Sequence, residues 1–107
     1  MTEEHRIMNE IRIALSEKNC ITFRINVGKM YTSDGRYFST GVPVGFSDIF
    51  GFRISDGRAF FIEVKTRTGK LRPEQKQFLS AMQAAGAIAG VCRSPEEAIK
   101  LIYGGKV

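Results

Sequence analysis

The stretch Asp48-Ile49-Phe50-Gly51-Phe52-Arg53-Ile54-Ser55-Asp56-Gly57-Arg58-Ala59-Phe60-Phe61-Ile62-Glu63-Val64-Lys65 decides the fold. Asp56-Gly57 is a hairpin turn signal, so residues 48–53 and 58–65 read as two strands joined at that turn. Ala59 to Ile62 is apolar on both faces, which predicts a strand central in its sheet. It ends in Glu63-Val64-Lys65, and alternation along a strand puts Glu63 and Lys65 on one face. Asp48 ends a glycine-rich loop and brings a second carboxylate to the neighbouring strand. Two acids and an ammonium so arranged suit metal-assisted phosphodiester hydrolysis: the acids hold a divalent ion, and the lysine orients or deprotonates the attacking water.

Working outward, Thr2 caps a first helix running to about Lys18, with Glu3 and Glu4 in the first turn where the helix dipole favours negative charge. Ile7, Ile11, Ala14 and Leu15 recur at helical spacing and form its buried stripe. A strand follows over Ile21 to Asn26, then a hairpin or loop over Lys29 to Thr40 with Asp34-Gly35 as its turn. Gly41-Val42-Pro43-Val44-Gly45 is a loop leading to Asp48.

Beyond Lys65, Thr66 to Arg72 is a polar loop. Pro73 stands at the first position of a second helix, with Phe78, Leu79, Met82 and Ala85 facing inward and Gly86 at its end. Ile88 to Cys92 is a short buried strand. Ser94-Pro95-Glu96-Glu97 has the form of a cap, a first-position proline and acids in the first turn, and opens a last helix carrying Ala98, Ile99, Leu101 and Ile102. The order is helix, three or more strands, helix, strand, helix, without internal repeats, linkers or a second domain.

At 107 residues the chain is expected to form one domain, 1–107, around a single core. With 43% hydrophobic and 25% charged residues, it is neither disordered nor collagen-like. No apolar run approaches a membrane span, and the Met-Thr-Glu-Glu start lacks the basic then apolar segments of a signal peptide. Cys20 and Cys92 lie far apart in apolar surroundings and without metal-ligand spacing. They read as reduced core residues of a cytoplasmic protein, in a bacterial or phage-infected cell.

The formal charge of +5 points mildly to a polyanionic partner. Its distribution says more: Lys65, Arg67, Lys70, Arg72 and Lys76 crowd directly after the acidic strand. An isolated run of this kind is usually a solvated face, but beside candidate metal acids it is placed to hold phosphates.

The segments Gly45 to Gly51, Asp56 to Lys65, Thr68-Gly69-Lys70-Leu71-Arg72-Pro73-Glu74-Gln75, and Ala85-Gly86-Ala87 leading to Gly90-Val91 together resemble the VRR-NUC nuclease domain. That family belongs to the PD-(D/E)XK, restriction-endonuclease-like superfamily. The resemblance covers nearly the whole chain from Glu4 to Ile102. It implies an α/β fold with a restriction-endonuclease-like core, a mixed β-sheet flanked by helices in the order α-β-β-β-α-β-α. It also implies a site where two strands diverge, in which Asp48, Glu63 and the Val64 carbonyl bind Mg2+ or Mn2+. Lys65 matches the catalytic lysine, and Gln75 a glutamine aimed at the same site. Ser47 stands where proline often precedes the aspartate, a position that shapes the backbone without contacting metal.

The family also places a glutamate on the first helix. At 3.6 residues per turn, Glu4 projects within roughly 20° of the centre of the apolar stripe, whereas Glu3 and Glu10 lie roughly 80° to 100° away. Glu4 is therefore the candidate, and Glu3 and Glu10 serve the helix dipole or solvate a face. His5 points away from the stripe and reads as a surface residue. Tyr31, Tyr37 and Phe38 read as packing residues sooner than base-stacking ones.

The function expected is a divalent-metal-dependent DNA endonuclease, with Asp48, Glu63, Lys65, Glu4 and Gln75 as its site and Arg67, Lys70, Arg72 and Lys76 on phosphates. A domain this small suits recognition of a branch, flap or four-way junction better than of a long sequence. Free-standing members of the family resemble homodimers able to cut two strands of a junction. Two alternatives stand beside it: a DNA-binding module that cleaves nothing, and an interaction domain in which Glu63 and Lys65 form an ordinary salt bridge.

Overall fold

The computed structural model describes residues 1–26, 29–31, 33–39 and 41–104, of which 29–31 and 37–39 are described by backbone alone. The elements run α1 (Glu3–Glu17), β1 (Cys20–Arg24), β2 (Lys29–Tyr31), β3 (Tyr37–Ser39), β4 (Ile49–Arg53), β5 (Ala59–Val64), α2 (Pro73–Ala84), β6 (Ile88–Cys92) and α3 (Pro95–Tyr103). This is the expected α/β order, with the β2–β3 hairpin set apart as its own two-stranded sheet. Thr40 lies outside the described residues, as do the side chains of Tyr31, Tyr37 and Phe38.

The main sheet has the order β1-β4-β5-β6. β1 with β4 and β4 with β5 are antiparallel, while β5 and β6 are parallel, so the sheet is mixed and β5 lies inside it as its two-sided apolarity requires. The parallel step needs a crossover connection, and α2 supplies it.

Alternation sorts β5 between two faces. Phe60, Ile62 and Val64 are completely buried and join Ile7, Ile11 and Leu15 of α1 and Ala98 and Ile102 of α3 in one core. Phe61, Glu63 and Lys65 therefore point to the opposite face, over which α2 packs against β5 and β6. The core on one side thus fixes which way the acid and the lysine point.

Local signals explain the boundaries. The Thr2 hydroxyl accepts the His5 N–H at 3.1 Å, and the Ser94 hydroxyl accepts that of Glu97 at 3.2 Å. Gly57 takes a left-handed φ of 70° in the β4–β5 turn, and Gly86 one of 95° after α2. The inward set of α2 is narrower than its periodicity predicts: Leu79 is buried, Phe78 and Met82 are half-buried, and Ala85 is exposed. Ala85 is the C-cap, where the chain turns out of the helix towards Gly86, so the helical spacing no longer holds there.

Candidate active site

Asp48 sits at the mouth of β4, delivered by the 41–47 loop. Gly45 in that loop has a φ of 94°, and a Cβ there would run into the backbone carbonyl of Glu74 at the start of α2. Only glycine lets the loop lie against the helix this closely. Ser47, fully buried, donates from Oγ to the Ile49 carbonyl at 3.0 Å. That bond holds the corner from which Asp48 enters β4.

Across the strand pair, the Val64 N–H donates to Asp48 Oδ2 at 2.9 Å, tying the aspartate to the end of β5. Glu63, only 2% exposed, lies beside it. Gln75 donates from Nε2 to Glu63 Oε1 at 3.1 Å. The same oxygen faces Lys65 Nζ at 3.9 Å. The other oxygen, Oε2, is buried and, with both carboxyls ionised, has no hydrogen-bond partner. Burial first, then the adjacent Asp48 carboxylate, push the Glu63 carboxyl up to about 9; Lys65 counters this, and the charge of Glu4 adds to it.

Gln75 occupies the third position of α2, and its Oε1 accepts the Arg72 N–H at 2.9 Å. An amide whose oxygen is taken by a backbone donor can offer only its NH2 to Glu63, so the helix start fixes the polarity of this contact. Glu4 is half-buried on α1, whereas Glu3 and Glu10 are exposed and flank Arg6. Of the three, Glu4 is the one whose charge contributes, last among the causes, to the raised Glu63 pKa.

These positions bring Asp48, Glu63, Val64, Lys65 and Gln75 together, with Glu4 acting at longer range. Among the described residues no three His, Cys, Asp or Glu side chains gather as a metal-ligand group. The carboxylates that could serve a metal here are thus the Asp48 and Glu63 pair. Two oxygen-bearing acids forced together, one with an orphaned oxygen and a strongly raised pKa, fit a hard divalent cation, which would satisfy that oxygen and relieve the repulsion.

The cations expected on phosphates are all exposed. Arg67, Lys70 and Lys76 have no ion pair among the described residues, while Arg72 faces Glu74 at 3.1 Å. His5 is on the surface, with Nε2 3.5 Å from an Arg24 nitrogen. Sequence reasoning passed over Arg93, which follows a buried strand and precedes a helix cap and reaches the loop beyond Lys65. No periodicity marks such a residue, because its role lies in a contact 24 to 27 positions away.

The family model for the VRR-NUC domain matches residues 3–96, a span that includes every one of these site residues. Among solved structures, one described as a VRR_NUC domain is similar with a TM-score of 0.68 and 22% identity, covering 96% of this chain and 97% of its own. At that identity the likeness shows the fold. Comparison with curated proteins gives no match. The chain belongs to the VRR-NUC family, and its function is of the nuclease type, acting on DNA.

Proposed function

We propose that the protein is a divalent-metal-dependent DNA endonuclease that hydrolyses phosphodiester bonds, selects branched or four-way junction DNA, and works as a homodimer. The observation that carries this reading is the Asp48 and Glu63 pair: a half-buried aspartate tied to the Val64 N–H and a buried glutamate whose Oε1 faces Lys65 and whose Oε2 has no partner.

Asp48, Glu63 and the Val64 carbonyl would hold Mg2+ or Mn2+, with Glu4 supporting the site by its charge or through water. When bound, such an ion supplies a Lewis acid for the scissile phosphate and an acidified water. The chain's own residues do the rest. Lys65 orients the attacking water and offsets the charge that builds on the phosphorane. Gln75 holds one Glu63 oxygen and leaves the other without a donor, available to the ion. Arg67, Lys70, Arg72 and Lys76 hold flanking phosphates, which makes binding salt-sensitive and weakly dependent on sequence.

The reading is tested by incubating the purified protein with labelled four-way junction, flap and linear duplex DNA in Mg2+, Mn2+ or EDTA, beside Lys65→Ala. Metal-dependent cutting that is lost in Lys65→Ala and fastest on the junction or flap supports it, and sedimentation of the active species as a dimer supports the assembly. Salt-dependent binding without cutting in either metal makes the protein a DNA-binding module instead. Absence of DNA binding leaves the interaction domain.

A further inference from the structure

We propose that Arg93 is a positioning residue for this reaction: its guanidinium clamps the 66–69 turn and thereby fixes Lys65 at the end of β5. The proposal rests on the nuclease reading of the site. Arg93 Nη1 donates to the Thr66 carbonyl at 2.6 Å and the Gly69 carbonyl at 2.7 Å, with the Arg67 carbonyl at 3.4 Å. Carbonyl oxygens turned to one point repel one another, and a cation at their focus converts that repulsion into attraction. The turn is further closed by the Gly69 N–H donating to the Thr66 carbonyl at 3.1 Å.

The turn in turn walls the lysine. A Cβ on Gly69 would meet Thr66 Oγ1 at 3.2 Å and Lys65 Cδ and Cβ at 3.4 and 3.5 Å, so the Cα face of the glycine is turned to the Lys65 stem with room for about one methyl group between them. The lysine side chain is 13% exposed, with its ammonium 3.9 Å from Glu63 Oε1. Restricting a side chain of this length removes rotamers that point the ammonium into water.

Arg93 is itself fixed at its root. It follows Cys92, whose carbonyl accepts the Lys65 N–H at 3.2 Å. Its own N–H donates to Glu97 Oε1 at 2.7 Å in the first turn of α3. The start of α3 and the end of β6 thus hold the arginine, the arginine holds the turn, and the turn holds the lysine.

The test compares wild type, Arg93→Met, which keeps an apolar stem without donors, and Arg93→Lys, whose ammonium has three donors. Kinetics on the DNA that wild type cuts are measured well below every melting midpoint, together with amide hydrogen exchange of residues 65–70, α1 and β4. The expected result is a fall in kcat of about ten- to hundredfold in Arg93→Met with KM within about threefold, and faster exchange confined to residues 65–70. Arg93→Lys should restore most of both.

Unchanged exchange in the turn overturns the clamp. Unchanged kcat despite faster exchange overturns the positioning role. A loss expressed in KM with the turn intact makes Arg93 a direct phosphate contact, and faster exchange throughout α1 and β4 makes it a general stability residue; either result contradicts the proposal. A wild type that cuts nothing overturns the nuclease reading and the catalytic half of this one, and the exchange data then decide the clamp by themselves.

Discussion

Gln75 and Glu63 are joined by a single hydrogen bond of 3.1 Å between α2 and β5, and the orientation of that bond is set by the Arg72 N–H on the far side of the same amide. The helix start therefore dictates which oxygen of a buried glutamate stays free. The other oxygen, Oε2, is left buried without a donor, so on the proposed reading Gln75 supports a metal ligand from behind.

Replacing Gln75 by leucine removes this support and leaves Glu63 Oε1 with Lys65 alone. Residues that orient metal ligands typically contribute about 10- to 100-fold in metal affinity or activity. Titrating Mg2+ against the cleavage rate of Gln75→Leu should show a midpoint raised within that range. An unchanged midpoint would mean that Gln75 serves only the cap of α2.

The pH dependence of stability has a definite sign. The Glu63 carboxyl is raised from 4.5 to about 9 by burial and by Asp48, so in that window the unfolded chain has released a proton that the folded chain still holds. The contribution of Glu63 to stability without metal therefore falls as pH rises from about 4.5 towards about 9. Denaturant unfolding in EDTA should show this slope, and Glu63→Gln should flatten it. Mg2+ should stabilise wild type most at the alkaline end, where the carboxylate is most easily freed to receive it.

Phosphate contacts should separate from chemistry. Arg67→Ala and Lys70→Ala each remove an exposed cation beyond β5. Each is expected to reduce the slope of log affinity against log salt by roughly 0.7 to 0.9, with little change in kcat at saturating DNA. Filter binding across a salt series measures the first, and steady-state kinetics the second. A kcat loss without a change in salt slope would move these residues into the catalytic set.

Arg53 offers a stability control remote from the site. It reaches from β4 to the Ile102 carbonyl at 2.9 Å, pairs with Asp56, and lies 5.8 Å from the centroid of the Tyr103 ring. Arg53→Ala leaves that carbonyl without its donor and should lower stability by about 1 to 3 kcal/mol. Cleavage at temperatures below the transition should be unaffected. A lower Cm with normal kcat confirms that the α3 anchor and the site are independent.

Much of the fold was legible because its signals are local: the Asp56-Gly57 turn, the Thr2 and Ser94 caps, Pro73 at a helix start and the two-sided apolarity of β5 all act within a few residues. The half-burial of Glu4 beside exposed Glu3 and Glu10 was legible for a related reason, since helix geometry sets a side chain's direction before any partner is known. The pairing of Asp48 with the Val64 N–H, the orphaned Glu63 oxygen and the Arg93 clamp were not, because each joins residues from separate elements and depends on register and packing. Ala85 shows the same limit from the other side: helical spacing places it inward, and the end of the helix turns it out.

A divalent ion held by the Asp48 and Glu63 pair for phosphodiester hydrolysis is what the proposed function stands on. Single-turnover cleavage of a four-way junction by wild type and Glu63→Ala, in Mg2+ and in EDTA, tests it most directly. Wild type should cut in Mg2+ and not in EDTA, and Glu63→Ala should not cut although it still binds the junction. Cutting that persists in EDTA, or in Glu63→Ala at a rate near that of wild type, would contradict it.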